Sequence, residues 1–330
     1  MRTFTRALLT ADLQIDEDAS TTLPGSTPGM TRRLEDRRDA LAWILGVAVR
    51  EGCDAIVILG DVFDDRHALT LPCLHVFAKF LALAADKGRQ VIIVPGNHDS
   101  YLRDTSINSV SGFSSANCTV IDEPTTGNGC AWLPWSDPAT YALGVRRLAG
   151  SAPVLMSHAM VDEAVKHAKG VPAKAFKKFK RVFLGDVHEP RAVGPNIQYV
   201  GAPMQFNFGD ATGGRGAFVW DRKSDRLAYH FNEASPQFWV FGSAEECLRS
   251  QVVRPCDHVR ISGSVLPSQR DEIAAKVATL DCATLLGAAT VNRSGIHAGM
   301  TDADLLTAYL KGKGKFNPKR LRRGLSFLSS

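Results

Sequence analysis

The chain is punctuated by apolar runs that do not alternate. ALLTADL (7–13), AIVILGD (55–61), VIIVPGN (91–97), PVLMSHA (153–159) and VFLGDVH (182–188) are each nearly continuous in apolar residues. A strand with one wet face alternates apolar with polar, whereas a strand covered on both faces does not, so these runs predict fully buried strands. Between the first two, TRRLEDRRDALAWILGVAVREG carries Leu34, Leu41, Ile44, Leu45 and Ala48 at helical spacing. LPCLHVFAKFLALAADKG repeats the pattern, with Pro72 in its first turn and Gly88 as its stop. Strand, helix, strand, helix, strand implies an α/β layered domain. Beyond residue 195, IQYVGAP, GAFVWD and RLAYHFNE predict successive antiparallel strands. The pattern changes again near Pro236, where HVRISG followed by SQRDEIAAKVATL predicts a small α/β appendage over 236–300.

Composition adds limits. With 330 residues, 45% of them hydrophobic, the chain can bury one large core and a smaller one. It has no run of about 20 apolar residues and no basic start leading into an apolar stretch, which predicts a cytoplasmic protein without a membrane partner. The 7 cysteines are scattered without a C-x-x-C pair, against both a disulfide framework and a thiolate zinc site, and are expected as small buried hydrophobes. No G-x-x-x-x-G-K-[ST] occurs, so the chain carries no P-loop of its own.

Polar residues then fall in a series at the ends of the predicted strands. Asp12 and Gln14 follow the first run, Asp61 and Asp64 the second (GDVFD), and Asn97, His98 and Asp99 the third (GNHDS). His158 follows the fourth, Asp186 and His188 the fifth. One aspartate after a strand is ordinarily a helix cap. Caps require neither this order nor the histidines, and α/β folds build sites at the carboxyl ends of strands. His75, on an apolar helix face, is expected to be packed. Arg66 and His67 lie in a loop near the series and could touch phosphate, while His167, His230, His258 and His297 have no partners in the pattern.

The ordered series resembles the calcineurin-like metallophosphoesterase superfamily, whose pattern is D-x-H, G-D-x-x-D, G-N-H-D/E, a lone His and G-H-x-H. GDVFDDR, PGNHDS, VFLGDVHEPRAV and YVGAPMQFNFGD are similar to its SbcD-type DNA repair nuclease subunits, phage relatives included. The resemblance covers residue 7 to about 210. It implies a layered metallophosphoesterase sandwich over 1–235, a small α/β capping domain over 236–300 and a basic docking segment over 301–330. It also implies two divalent ions, manganese or magnesium, bridged by Asp61. Asp12, Gln14 and His188 would complete one site and Asn97, His158 and Asp186 the other, with His98 beside the scissile phosphate and Asp99 orienting it. Two positions depart from the pattern. Gln14 and Asp186 each stand where the family has histidine, which should weaken one site and move the other toward harder metals.

Charge bears on the substrate. Lys166 to Arg181 holds seven Lys or Arg and no acid, with Phe176 and Phe179 interleaved. Lys174, Lys177 and Lys178 beside a phosphodiesterase site suit a nucleic-acid backbone, whereas an amphipathic helix with both rings in the core is the plainer reading. Lys311 to Arg323 again holds seven cations and no acid, and a helix around PKRLRR starting near Pro318 is expected. The resemblance implies DNA and an SbcC-type coiled-coil ATPase as partners, and a homodimer is compatible with it. A weakened scaffold for that ATPase and a small-substrate phosphatase are the alternatives.

Overall fold

In the computed structural model, residues 1–17, 25–66, 68–102, 107–167 and 169–284 are described. His67, His297, the end of the proposed capping domain and the whole basic tail fall outside them. The early strands are β1 (Arg6–Thr10), β2 (Ala55–Leu59) and β3 (Gln90–Val94), separated by α1 (Arg32–Arg50) and α2 (Leu71–Asp86). Both helices start as composition favours: Thr31 accepts from the Leu34 N–H, Thr70 accepts from the Cys73 N–H, and Pro72 sits in the first turn of α2. β4 (Cys118–Val120), β5 (Thr125–Gly127), β6 (Cys130–Leu133) and α3 (Pro138–Leu148) follow, then β7 (Val154–His158), β8 (Arg181–Gly185), β9 (Arg191–Val193), β10 (Ile197–Tyr199), β11 (Gly216–Asp221) and β12 (Arg226–Phe231).

These strands form two six-stranded sheets, ordered β12-β11-β1-β2-β3-β4 and β5-β6-β7-β8-β10-β9. Strand parity explains why the apolar runs are continuous. In β2, Ala55, Val57 and Leu59 enter the core between the sheets with Trp132, Met156 and Phe183, while Ile56 and Ile58 face α1 and α2. In β8, Phe183 enters the same central core, while Val182 and Leu184 join Tyr141 and Val145 of α3 on the far side. Every face of these strands meets protein, so period-two alternation has nothing to record. The α/β layered sandwich expected from the sequence is the fold observed.

The strand directions correct one expectation. β11 and β12 are antiparallel to their neighbours, but β10 runs parallel to β8. β4, β5 and β6 have no separate signal in the sequence, because each is only three or four residues long, whereas α3 has one that sequence reasoning missed, Asp137 as its cap and Pro138 in its first turn. The basic stretch before β8 forms one 3-10 turn, Ala173–Phe176, in place of a longer helix. Phe176 and Phe179 are buried, while Lys174, Lys177 and Lys178 are exposed. His75 is exposed and not packed. Five cysteines are buried, and Cys256 and Cys282 are half-buried. No helix among the described residues is long and apolar enough to cross a membrane.

The described residues divide into two compact units, 1–240 with Cys256–His258, and Phe241–Pro255 with 259–284. β13 (Phe238–Phe241) runs up to the boundary and β14 (His258–Val265) runs away from it. The second unit contains α4 (Ala244–Arg249), α5 (Pro267–Ala274) and β15 (Thr279–Thr284), and Gln269 Nε2 on α5 donates to Glu245 Oε1 on α4 at 2.6 Å.

Phe77 lies at the centre of an aromatic cluster, edge-on to Phe63 at 5.6 Å and to Phe113 at 5.0 Å between centroids. Phe77→Ala should destabilise the protein by about 3–5 kcal/mol, read as a lower urea midpoint. Leu143→Ala, at a side chain 61% exposed, should stay within about 0.5 kcal/mol.

Candidate metal centre

The carboxyl ends of β1, β2, β3, β7 and β8 come together at one edge of the sandwich. Their chains leave the sheets through backbone that L-residues rarely adopt: φ is 52° at Asp12, 42° at Gln14, 55° at Asp61 and 97° at Asp186. Each such residue costs on the order of 1–3 kcal/mol, which the surrounding ladder holds in place. Asp12 N–H donates to Gly60 O, Gln14 N–H to Asp61 O and Ile15 N–H to Val62 O, so β1 and β2 stay paired past their regular ends.

Glycines allow the close approach. A Cβ at Gly185 would stand 1.9 Å from Leu59 O, one at Gly60 2.2 Å from His158 Nδ1, and one at Gly96 2.2 Å from Asp61 Oδ1. The GD and GN pairs of the sequence motifs therefore place a residue without a side chain against each ligand-bearing neighbour.

His158 is fully buried, and its Nδ1 lies 2.7 Å from Leu59 O. A carbonyl only accepts, so Nδ1 carries the proton. Nε2 then faces Asn97 Oδ1 at 2.8 Å, Asp61 Oδ2 at 3.5 Å and Asp186 Oδ1 at 3.5 Å. Oxygen acceptors surrounding an imidazole lone pair are satisfied either by a proton or by a cation. Burial lowers the pKa of this imidazole, but the charge of Asp61 with Asp186 and Asp12 outweighs it and holds the pKa well above the usual value.

The second histidine is built the same way. His188 Nδ1 lies 3.1 Å from Asp210 Oδ1, and its Nε2 lies 3.1 Å from Gln14 Nε2. Rotating the terminal amide of Gln14 by half a turn would present its oxygen at the same place. Buried Arg215 reaches Asp210 Oδ1 at 3.4 Å from the other side. Burial would raise the Asp210 pKa, but the His188 hydrogen bond and charge, with Arg215, hold it below the usual range. Asp210 therefore orients His188 as an outer carboxylate orients a ligating histidine. Sequence reasoning missed this residue, and its one signal there is the acid that ends YVGAPMQFNFGD.

Asp12, Asp61 and His158 offer atoms that all lie within 4.8 Å of one another, and all are buried. The Asp186 N–H donates to the Asp12 carboxylate at 3.2 Å, and the His98 N–H donates to Asp61 Oδ1 at 2.9 Å. Burial is the largest influence on Asp12 and, despite His158 and His188, pushes its pKa up to about 7. Buried carboxylates crowded around two histidines are a donor set that fits divalent cations.

Asp99 corrects an expectation. It is completely buried and its carboxylate accepts from the backbone N–H groups of Asp61 at 2.8 Å, Gly96 at 2.9 Å and Val62 at 3.0 Å. It braces the two loops that carry Asp61 and Asn97 and does not orient His98. That position belongs to Asp64, whose carbonyl accepts from His98 Nδ1 at 2.7 Å. Arg66 is half-buried in the loop after β2.

Residues 5–190 match the calcineurin-like phosphoesterase family. Exonuclease subunit 1 of Enterobacteria phage T4 is 24% identical over 211 residues, an alignment covering 57% of this chain and 62% of that protein. The match thus spans less than two thirds of the relative's length. Among solved structures, the protein TT1561 of Thermus thermophilus superposes with a TM-score of 0.44 at 14% identity, covering 69% of this chain and 99% of that one. Pseudomonas putida nuclease MPE gives a TM-score of 0.33 at 18% identity, covering 68% and 87% respectively.

Two expectations follow from the site. Asp210→Asn removes the charge behind His188 and should weaken divalent-metal affinity about 10- to 100-fold in calorimetric titration, and because it leaves buried Arg215 without its counter-charge it should also lower the melting temperature of the metal-free protein. Asp12 has its folded pKa raised from 3.8 to about 7, so the metal-free native state holds a proton that the unfolded chain has lost. Metal-free stability should therefore fall as pH rises from about 4 to 7. Divalent cations displace that proton, so binding should tighten up to about pH 7, with proton release seen as a buffer-dependent binding enthalpy.

Proposed function

This chain belongs to the calcineurin-like phosphoesterase family, and from that premise we propose that it is a metal-dependent DNA nuclease subunit, with exonuclease and endonuclease action, working with an SbcC-type coiled-coil ATPase. The observation that carries the proposal is the cluster at the strand ends, where Asp12, Asp61 and His158 offer atoms within 4.8 Å of one another, Asn97 and Asp186 face His158 Nε2 and Gln14 meets His188; with Asp61 as the proposed bridge, Asp12, Gln14 and His188 make one group and Asn97, His158 and Asp186 the other. We assign these as the two ligand sets. The donors are mostly oxygens, which favours manganese or magnesium over softer metals. Two such ions would supply positive charge to the phosphoryl oxygens and to the departing oxygen of a phosphodiester.

The protein's own groups supply the rest. Asp61 keeps one oxygen on the His98 N–H, which ties the β3 loop to the bridging position. His98 itself is held by Asp64 through Nδ1, leaving Nε2 to contact the phosphate or to deliver a proton to the leaving oxygen. Lys174, Lys177 and Lys178 are exposed on the segment joining β7 to β8, and with Arg66 and His67 they are the proposed contacts to a nucleic-acid backbone. The phage relative, named as an exonuclease subunit, supports a nucleic-acid substrate and a multi-subunit assembly, which we place in the host cytoplasm with DNA as its substrate.

A second reading, a weakened scaffold for the ATPase, draws on Gln14 and Asp186. The Gln14 amide nitrogen faces His188 Nε2, an arrangement that needs no cation. Purified protein given manganese with labelled duplex DNA, single-stranded DNA and a chromogenic phosphodiester separates the readings. Cleavage of DNA that depends on the metal is the expected result. Hydrolysis of the chromogenic ester alone would indicate a small-substrate phosphodiesterase, and inactivity on all three would indicate the scaffold. His98→Ala should lower cleavage by roughly 10²- to 10⁴-fold with manganese affinity close to that of the unaltered protein. Loss of metal binding in that variant would make His98 a ligand.

A further inference from the structure

A cavity of about 210 Å³ opens on the same edge of the sandwich as the metal centre, lined by Trp135, Ser136, Tyr141, Met160, Lys169 and Val171 among others. Its walls continue the strands that carry two proposed ligands. β6 and β7 are parallel with Leu133 opposite Ser157, so Trp135 comes level with the residues just past His158. The backbone N–H of Trp135 donates to Pro95 O, two residues ahead of Asn97. Tyr141 Oη lies 2.7 Å from Ser157 Oγ, which donates in turn to Leu133 O, so the floor is tied to the same two strands. Opposite, Val171 N–H donates to Met160 O and closes the loop that carries Lys169.

The chemistry is that of a site for a flat, apolar ring bearing a negative charge nearby. An indole side chain, a thioether and a valine form the apolar part, and exposed Lys169 stands at the rim. The aromatic residues that the basic stretch offered for stacking, Phe176 and Phe179, are buried and cannot meet a base. Trp135 is half-buried and lines open space. We propose that this cavity is a nucleobase subsite beside the scissile phosphodiester, with Trp135 as the stacking platform and Lys169 as a contact to the adjoining phosphate. The proposal rests on the phosphodiesterase reading of the metal centre and adds that the enzyme grips a nucleoside, not just a phosphate.

Two chromogenic esters that differ only in the group beside the common p-nitrophenyl phosphate make the test. One is the p-nitrophenyl ester of thymidine 5′-monophosphate, and the other is methyl p-nitrophenyl phosphate, which has no base. With manganese, Trp135→Ala should raise KM for the thymidine ester roughly tenfold or more, as expected for the loss of one base–aromatic stack, and leave the methyl ester unchanged. Trp135→Phe should retain most of the affinity, and Lys169→Ala should raise KM for the thymidine ester by a smaller factor. Equal effects on both esters, or none on either, would overturn the subsite. A measurement independent of turnover separates it from the reading it rests on. Thymidine 5′-monophosphate should quench tryptophan fluorescence of the unaltered protein, and the Trp135→Ala variant should lose that change. Quenching lost in the variant, with both esters left intact by the unaltered protein, would keep the subsite and remove the phosphodiesterase reading. Identical quenching in both proteins would remove the subsite.

Discussion

The hydrogen bond from His158 Nδ1 to Leu59 O joins the two sheets at the carboxyl ends of β7 and β2. It crosses from the end of β7 to the end of β2, and it selects the tautomer that turns Nε2 toward Asn97, Asp61 and Asp186. No Cβ is tolerated beside it, since both Gly60 and Gly185 would run into the imidazole or the carbonyl. One contact therefore ties the meeting of the two sheets to the direction of His158 Nε2. If the sheets separated there, the two halves of the site would separate with them.

Around that contact the protein stores unfavourable features that its remainder offsets. Asp12, Gln14, Asp61 and Asp186 carry left-handed backbone, and Asp12 and Asp99 have carboxyls raised by burial. Asp99 directs its charge at the backbone N–H groups of Asp61, Val62 and Gly96, holding two loops in the strained path. Local strain at the site and continuous apolar burial behind it belong together, because only a ladder fixed on both faces can impose such geometry.

Much of the architecture is legible in the chain because full burial on both faces leaves a direct trace, unbroken apolar runs ending in chemistry-bearing residues. The helices are equally plain, through Pro72 and the spacing of Leu41, Ile44 and Ala48. What the sequence conceals is whatever depends on partners far along the chain. The parallel pairing of β10 with β8 has no local signature, and neither does the small strand β5. His98 is held by Asp64 and not by adjacent Asp99, a choice made by how two loops cross. Asp210 shows its role only when Gln14, His188 and Arg215 are seen together. Phe176 and Phe179 mislead for the opposite reason, since an aromatic among lysines has the same pattern whether it points in or out.

Gln14 and His188 meet across 174 residues, and Asp12 meets Asp186 across the same span. Neither of the two proposed ligand sets closes within a single supersecondary unit, and each draws on both sheets. A ribosome-bound chain that has emerged only through the loop after β3 already contains Asp12, Asp61, Asn97 and His98, yet lacks the imidazoles of His158 and His188. The proposed centre can thus close only late in synthesis, because a chain interrupted before β8 lacks Asp186 and His188. If this centre is the hydrolytic site proposed above, its safeguard against premature action is the order in which its parts are synthesised.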